Sequence, residues 1–321
     1  MKSLKYGLLA LIMISASLCA MLIENEKELT QDERDFLKAA FLDNVEKMKF
    51  YLKKGVDINA QEDYSALMNA VSNGSLNATS FLLDHGADID AQDSISKTAL
   101  TLAVVHAMDQ NLRNKNSLAT IKILLANNAS YEIKNAFGDT ALSNAQSDIK
   151  IKSIFDEIIE YKNAVEKDKK IDALVTAITH NNKNDSQFTK EEWIRFSLWN
   201  KYDKQLLYAL DKKVIALDDV LRLIAKVYNI PLSLIPKLMD SGKINFKDLK
   251  PYYEMAKKED NKKFGRYYVE LQKIVGKPKK SQQFPEEIIK NISTFLETEP
   301  VKKEIKPKQN KKFDIDRADV D

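Results

Sequence analysis

The chain has 321 residues, 44% hydrophobic and 30% charged, with a formal net charge of +3 at pH 7. That hydrophobic content is enough for a buried core and excludes a wholly disordered chain. Its eight Gly and seven Pro are few, and abundant Lys, Leu, Ala, Asn, Ile and Asp favour helices joined by short polar turns over an all-β architecture.

Residues 1–20 read as a secretory signal: Lys2 and Lys5 form the positive end, an apolar stretch runs from Tyr6 to Leu18, and Ser17-Leu18-Cys19-Ala20 offers small residues for cleavage. The stretch is short for a bilayer span, which places an uncleaved anchor behind cleavage. Lipidation at Cys19 ranks lower too, because Leu18 stands where the bacterial motif has Gly, Ala or Ser. Cleavage after Ala20 removes the only cysteine, and with it disulfide and thiolate chemistry. The expectation is an exported protein, secreted or periplasmic, of bacterial type, with no stable membrane span after signal cleavage.

A self-match follows. YLKKGVDINAQ at 51–61 recurs as FLLDHGADIDAQ at 81–92 and, worn, as ILLANNASYEIKN at 123–135, where Asn128 replaces the glycine of Gly55 and Gly86. A shorter phrase precedes or follows each: DFLKAAF at 35–41, SALMNAV at 65–71, TALTLAV at 98–104 and TALSNAQ at 140–146. Leu67, Ala70 and Val71 lie on one face of a first helix, and Leu82 and Leu83 on the inner face of a second. Ala39, Ala70, Ala103 and Ala145 recur where two helices must approach closely. Gly86 and Asn128 suit a left-handed helix end.

These phrases resemble the ankyrin repeat, whose first helix opens with Thr-Pro-Leu-His-x-Ala and whose second ends in Leu-Leu-x-x-Gly-Ala-Asp-x-Asn. The resemblance divides residues 32–161 into units at about 32–61, 62–92, 93–135 and 136–161. Charged Asp32, Glu33, Arg34 and Asp35 open the first unit as a solvent-facing cap. The last is partial, with an Ile151, Ile154, Phe155 and Ile158 stripe but no Gly-Ala-Asp ending. The third carries a nine-residue insertion within 106–117, as a longer first helix or a surface loop.

In ankyrin stacks the turns between units are the usual contact surface. The resemblance therefore points to Tyr64, Asp93, Ile95, Lys97, Phe137 and Asp139 as partner-binding residues, together with Glu62, Asp63, Ser94 and Ala136. Either Tyr64, Ile95 and Phe137 form an apolar strip rimmed by carboxylates, or Ile95 and Phe137 tuck under neighbouring turns.

Beyond residue 165 the charge changes sign, from −7 over 21–165 to +8 over 166–321. Helices are predicted at 171–179, 190–199, 204–210, 217–228, 232–239, 246–257 and 264–275, punctuated by Pro231 and Gly242, in a helical region spanning 165–276. Residues 220–248 echo the repeat cadence, with an unrelated helix pair as the other reading. Basic residues from Lys257 to Lys280 interleave with Phe264, Tyr267 and Tyr268. A solvated helix face with buried aromatics outweighs a nucleic-acid groove there.

The remainder, 277–321, comprises a basic linker, a short amphipathic helix and a tail of disordered composition. FPEEIIKNISTFL at 284–296 is similar to the opening helix of an F-box, which implies adaptor binding through Pro285, Ile288, Ile289 and Ile292; a plain amphipathic helix is the alternative.

His85, His106 and His180 are scattered without metal-ligand spacing, and neither a Gly-rich phosphate loop nor a nucleophile-elbow phrase appears. The expected fold is all-α, an ankyrin-type helix-pair solenoid followed by a helical C-terminal region. No catalytic, cofactor-binding or metal residue is assigned. The expected partner is an unidentified protein, either captured by an exported binding protein or selected by a host-directed effector whose 284–296 helix recruits ubiquitin-ligase machinery.

Overall fold

The computed structural model describes residues 29–109, 116–181, 187–228 and 230–275. Among them lie fifteen α-helices and one 3-10 turn, with no strand beyond an isolated bridge between Gln61 and Ser65. The signal segment, the 284–296 helix and the tail fall outside the described residues.

Four helix pairs make the first half: α1 (Gln31–Phe41) with α2 (Val45–Lys53), α3 (Ala66–Asn73) with α4 (Leu76–Asp84), α5 (Ala99–Met108) with α6 (Ser117–Ala126), and α7 (Ala141–Ala145) with α8 (Ile149–Glu166). The first helices α1, α3, α5 and α7 pack in succession as one layer, and α2, α4, α6 and α8 as a second. Each first helix starts on a hydroxyl that accepts the N3 amide: Thr30 from Glu33, Ser65 from Met68, Thr98 from Thr101 and Thr140 from Ser143. A cap of this kind contributes ~1 kcal/mol. Ala39, Ala70, Ala103 and Ala145 are buried, and a methyl at each of these positions leaves room for the helices to approach closely.

Second helices end alike. Gly55, Gly86 and Asn128 take φ of 94°, 87° and 66°, and the next amide returns to the helix, Val56 to the Tyr51 carbonyl, Ala87 to Leu82 and Ala129 to Leu124. In the third unit α5 reaches Met108, so part of the insertion lengthens the first helix; residues 110–115 lie outside the described residues.

The second half repeats the plan without the phrase. Its helices are α9 (Ala173–Asn181), α10 (Lys190–Trp199), α11 (Asp203–Asp211), α12 (Leu217–Lys226), α13 (Leu234–Asp240), the 3-10 turn Phe246–Leu249, α14 (Lys250–Lys258) and α15 (Lys262–Val275). Helices α10, α12 and α14 pack in succession, as do α9, α11 and α13. The closing bond recurs from Tyr202 to the Ser197 carbonyl, Val214 to Ala209 and Lys243 to Leu238. Here Lys201, Lys213 and Gly242 hold the positive φ. The echo at 220–248 spans α12 and α13, which lie in different layers of this second stack: α12 packs between α10 and α14, and α13 on α11.

The halves meet on the second-helix side of the first stack, where α10 packs against α6. Arg195, on α10, donates to the carboxylate of Asp84 at the end of α4 at 2.6 Å and to the side-chain oxygen of Asn127 at 3.1 Å. Lys226 reaches the other Asp84 oxygen at 3.2 Å, and the Tyr228 amide donates to the Asp84 carbonyl at 2.7 Å. Beside this polar joint, Tyr161 of α8 meets Trp193 at 4.9 Å between ring centroids, and Trp193 meets Phe188 at 5.1 Å. Tyr161 also shares a 2.7 Å hydrogen bond with the Ser197 hydroxyl. The Tyr161–Trp193 pair is edge-to-face, an arrangement that adds ~0.5–1.5 kcal/mol beyond the area it buries.

Candidate protein-interaction surface

The inter-unit turns are tied into one row. The Asp63 carboxylate accepts the Ser94 amide, and the Ile95 carbonyl accepts the Ala136 amide. One step inward, Asn59 accepts from the Asp88 amide and Asp90 from the Ser130 amide. The same repeat position thus bridges to the next unit twice. Hydrogen bonds to the charged form hold the Asp63 carboxyl below its usual value. At Asp90, burial raises it and the Asp88 charge adds to the rise, against the pull of the Ser130 amide.

Asp93 builds its turn from inside. Its Oδ1 accepts the amides of Ile95 and Lys97, at 3.0 and 2.7 Å, and Ser96 takes φ 59°. Asn135 does the same one unit on, accepting from Phe137 and Asp139 at 2.9 and 3.0 Å, with Gly138 at φ 85°.

The row departs from the expected apolar strip. Asp93 is buried, so its reading as a residue presented to a partner is corrected: its carboxylate is occupied by its own turn. Tyr64, Ile95 and Lys97 are half-buried, and burial raises the Tyr64 phenol. Of the three expected apolar residues only Phe137 stands clear, at 73% exposure. Asp139 is exposed on the same turn, and Glu62 and Asp63 are exposed at the other end of the row. Pro285, Ile288, Ile289 and Ile292 lie outside the described residues.

Sequence reasoning missed the pair Asp84 and Arg195. The one available signal was Asp84 itself, an acid where the preceding unit has Lys53. His85 does what its place in the repeat suggested, with Nδ1 2.7 Å from the Phe81 carbonyl and its ring against Phe81. Phe264, Tyr267 and Tyr268 are buried, and Tyr268 stacks between Tyr253 and Phe246. The basic face therefore offers none of these three rings as a stacking platform. Among the described residues no group of three His, Cys, Asp or Glu is placed to hold a metal ion, and no helix is long and apolar enough to cross a membrane.

Paired helices stacked in two layers, with turns tied edge to edge, define a helical repeat protein of the solenoid class. Residues 36–113 match the family model of ankyrin repeats, in three copies. Over that span the chain consists of ankyrin repeats, generally a non-enzymatic scaffold for protein–protein interaction. The stack continues past the match through α6, α7 and α8. Comparison with curated proteins gave no match.

Proposed function

We propose that this protein is exported and holds a partner protein against the row of inter-unit turns. The observation that carries the reading is the division of faces. Helices α4 and α6 are engaged by α10 and by the segment after α12, whereas the turn tips at Glu62, Asp63, Phe137 and Asp139 are exposed. An exposed aromatic on a hydrogen-bonded turn suits binding, because little order is lost when it is covered.

The test is a photo-cross-linking residue placed at position 137 of the chain from residue 21 onward, with a second at exposed Lys204 on α11 as control. Protein adducts are expected from position 137. Adducts from 204 alone would move the interface to the second stack. Export rests on the pattern of residues 1–20, and amino-terminal sequencing of secreted material should begin at Met21; material retaining residues 1–20 would overturn it.

A second reading rests on the phrase FPEEIIKNISTFL at 284–296, in which a host-directed effector couples the captured protein to ubiquitin-ligase machinery. Pull-down with a eukaryotic F-box adaptor tests it. Absence of binding, or binding indifferent to Ile288→Asp, sinks that role and leaves partner capture untouched.

A further inference from the structure

Phe137 is not exposed by looseness. Its amide and that of Asp139 are held by Asn135, the Gly138 amide returns to the Asn135 carbonyl, and the neighbouring Ala136 amide is held by the Ile95 carbonyl. The ring, 73% exposed, is presented on a fixed turn at one end of the row that runs through Ile95 and Ser94 to Asp63. A rigid aromatic left in water is the part of a surface that gains most from being covered.

The charge along the row selects the cover. The three turn segments 55–64, 86–97 and 128–139 carry eight carboxylates against Lys97 and Lys134, and of the eight only Asp93 is buried. Elsewhere many carboxylates have cations: Asp32 has Lys54, Asp219 has Lys190, Asp84 has Arg195 and Lys226, and Asp203 has Lys237. Among the described residues no ion pair neutralises Asp57, Glu62, Asp63, Asp88, Glu132 or Asp139. The row leaves its negative charge to be met from outside.

We infer that the turn row takes a basic polypeptide segment of another protein, seating one of its apolar side chains on Phe137 while its Lys or Arg residues lie along the carboxylates. This rests on the turn row being the interaction surface and adds the chemistry of the partner. Attraction between exposed charges is screened by salt, so the association is expected to weaken steeply as ionic strength rises.

Three labelled peptides of equal length serve as probes for the full chain, read by fluorescence polarisation. The first alternates Lys with Ser around one central Leu, the second replaces that Leu with Ser, and the third replaces every Lys with Glu. The first should bind best, and should weaken about tenfold on Phe137→Ser and at least as much on Glu62→Lys/Glu132→Lys/Asp139→Lys, a tenfold loss being about 1.4 kcal/mol. None of those three carboxylates has a role in holding the turns described above, and unchanged circular dichroism and melting confirm that the variants fold. Equal binding of the Glu peptide, or indifference to the triple reversal, overturns the inference. Markedly tighter binding by a chain ended at Glu299 makes the chain's own Lys-rich tail the occupant and overturns an outside partner. A protein cross-linked from position 137 through an acidic surface would overturn the inference while leaving the proposed function standing.

Discussion

Arg195 and Asp84 face each other at 2.6 Å across 111 positions of sequence, both largely buried, and thereby join the second stack to the ankyrin units. Removing one partner of a buried pair leaves an uncompensated charge, which costs about 3–5 kcal/mol. Lys226 remains near Asp84 in this case, so Arg195→Ala should cost about 2–4 kcal/mol. Replacing both partners, as Arg195→Met with Asp84→Leu, should recover most of the loss. The urea midpoints of these two variants and the unaltered chain decide it: a double variant no better than the single would show that the pair contributes more than mutual neutralisation.

Ending the chain after Lys167 strips the cover from α6 and removes Trp193 and Phe196 from Tyr161. The ankyrin units are expected to survive only in a loosened form, with a lower urea midpoint and bound hydrophobic dye. A truncated chain that melts as cooperatively as the whole one would show the two stacks to be independent domains.

Asp93→Lys and Asp139→Lys separate a turn-forming carboxylate from a surface one. The first removes an acceptor of two amides and places a cation in a buried site, at about 2–4 kcal/mol. The second should stay within about 0.5 kcal/mol. Thermal melts of both variants provide the comparison, and equal melting would contradict the buried role of Asp93.

Asn59 already performs, one unit earlier, the bridging that Asp90 performs towards Ser130. Asp90→Asn keeps an acceptor oxygen and removes a half-buried charge beside Asp88. The carboxyl of Asp90 is raised in the fold, so its ionisation costs stability as pH climbs from the unfolded value through the folded one. The variant should therefore melt about 1–2 °C higher at neutral pH and lose that advantage in acid. An unchanged or lower melting temperature at pH 7 would refute it.

Alkali should act through two tyrosines. Burial raises the phenols of Tyr161 and Tyr202 above the usual 10.0, and for Tyr202 the hydrogen bond to Glu166 and its charge add to the rise. Stability from these groups is fully present below pH 10, and it falls as the unfolded phenols begin to ionise above that value. Absorbance titration should show some of the twelve tyrosines ionising only together with unfolding. Complete ionisation at constant circular dichroism would sink the prediction.

The repeat was legible because its geometry needs particular residues. Left-handed helix ends drew Gly55, Gly86 and Asn128, and close helix approach drew the alanine column. The helix at 190–199 was bounded correctly from its apolar spacing. The same spacing could not show which way the halves dock, because Arg195 sits among other charges and nothing local marks it as buried. Asp93 looked like a surface acid for a related reason: its role depends on φ 59° at Ser96, where a glycine would have announced the turn. The second stack escaped because Lys201 and Lys213 fill positions that glycine fills elsewhere.

Open solenoids vary by gaining or losing whole units, since each unit answers only to its neighbours. Here the second-helix side is read by another stack at fixed points, Asp84 by Arg195 and α6 by α10. Duplicating or deleting a unit would carry those points out of register by a full repeat. The number of ankyrin units is thereby locked to the sequence that follows them, and lineages of this protein should diversify by changing turn residues rather than by changing length.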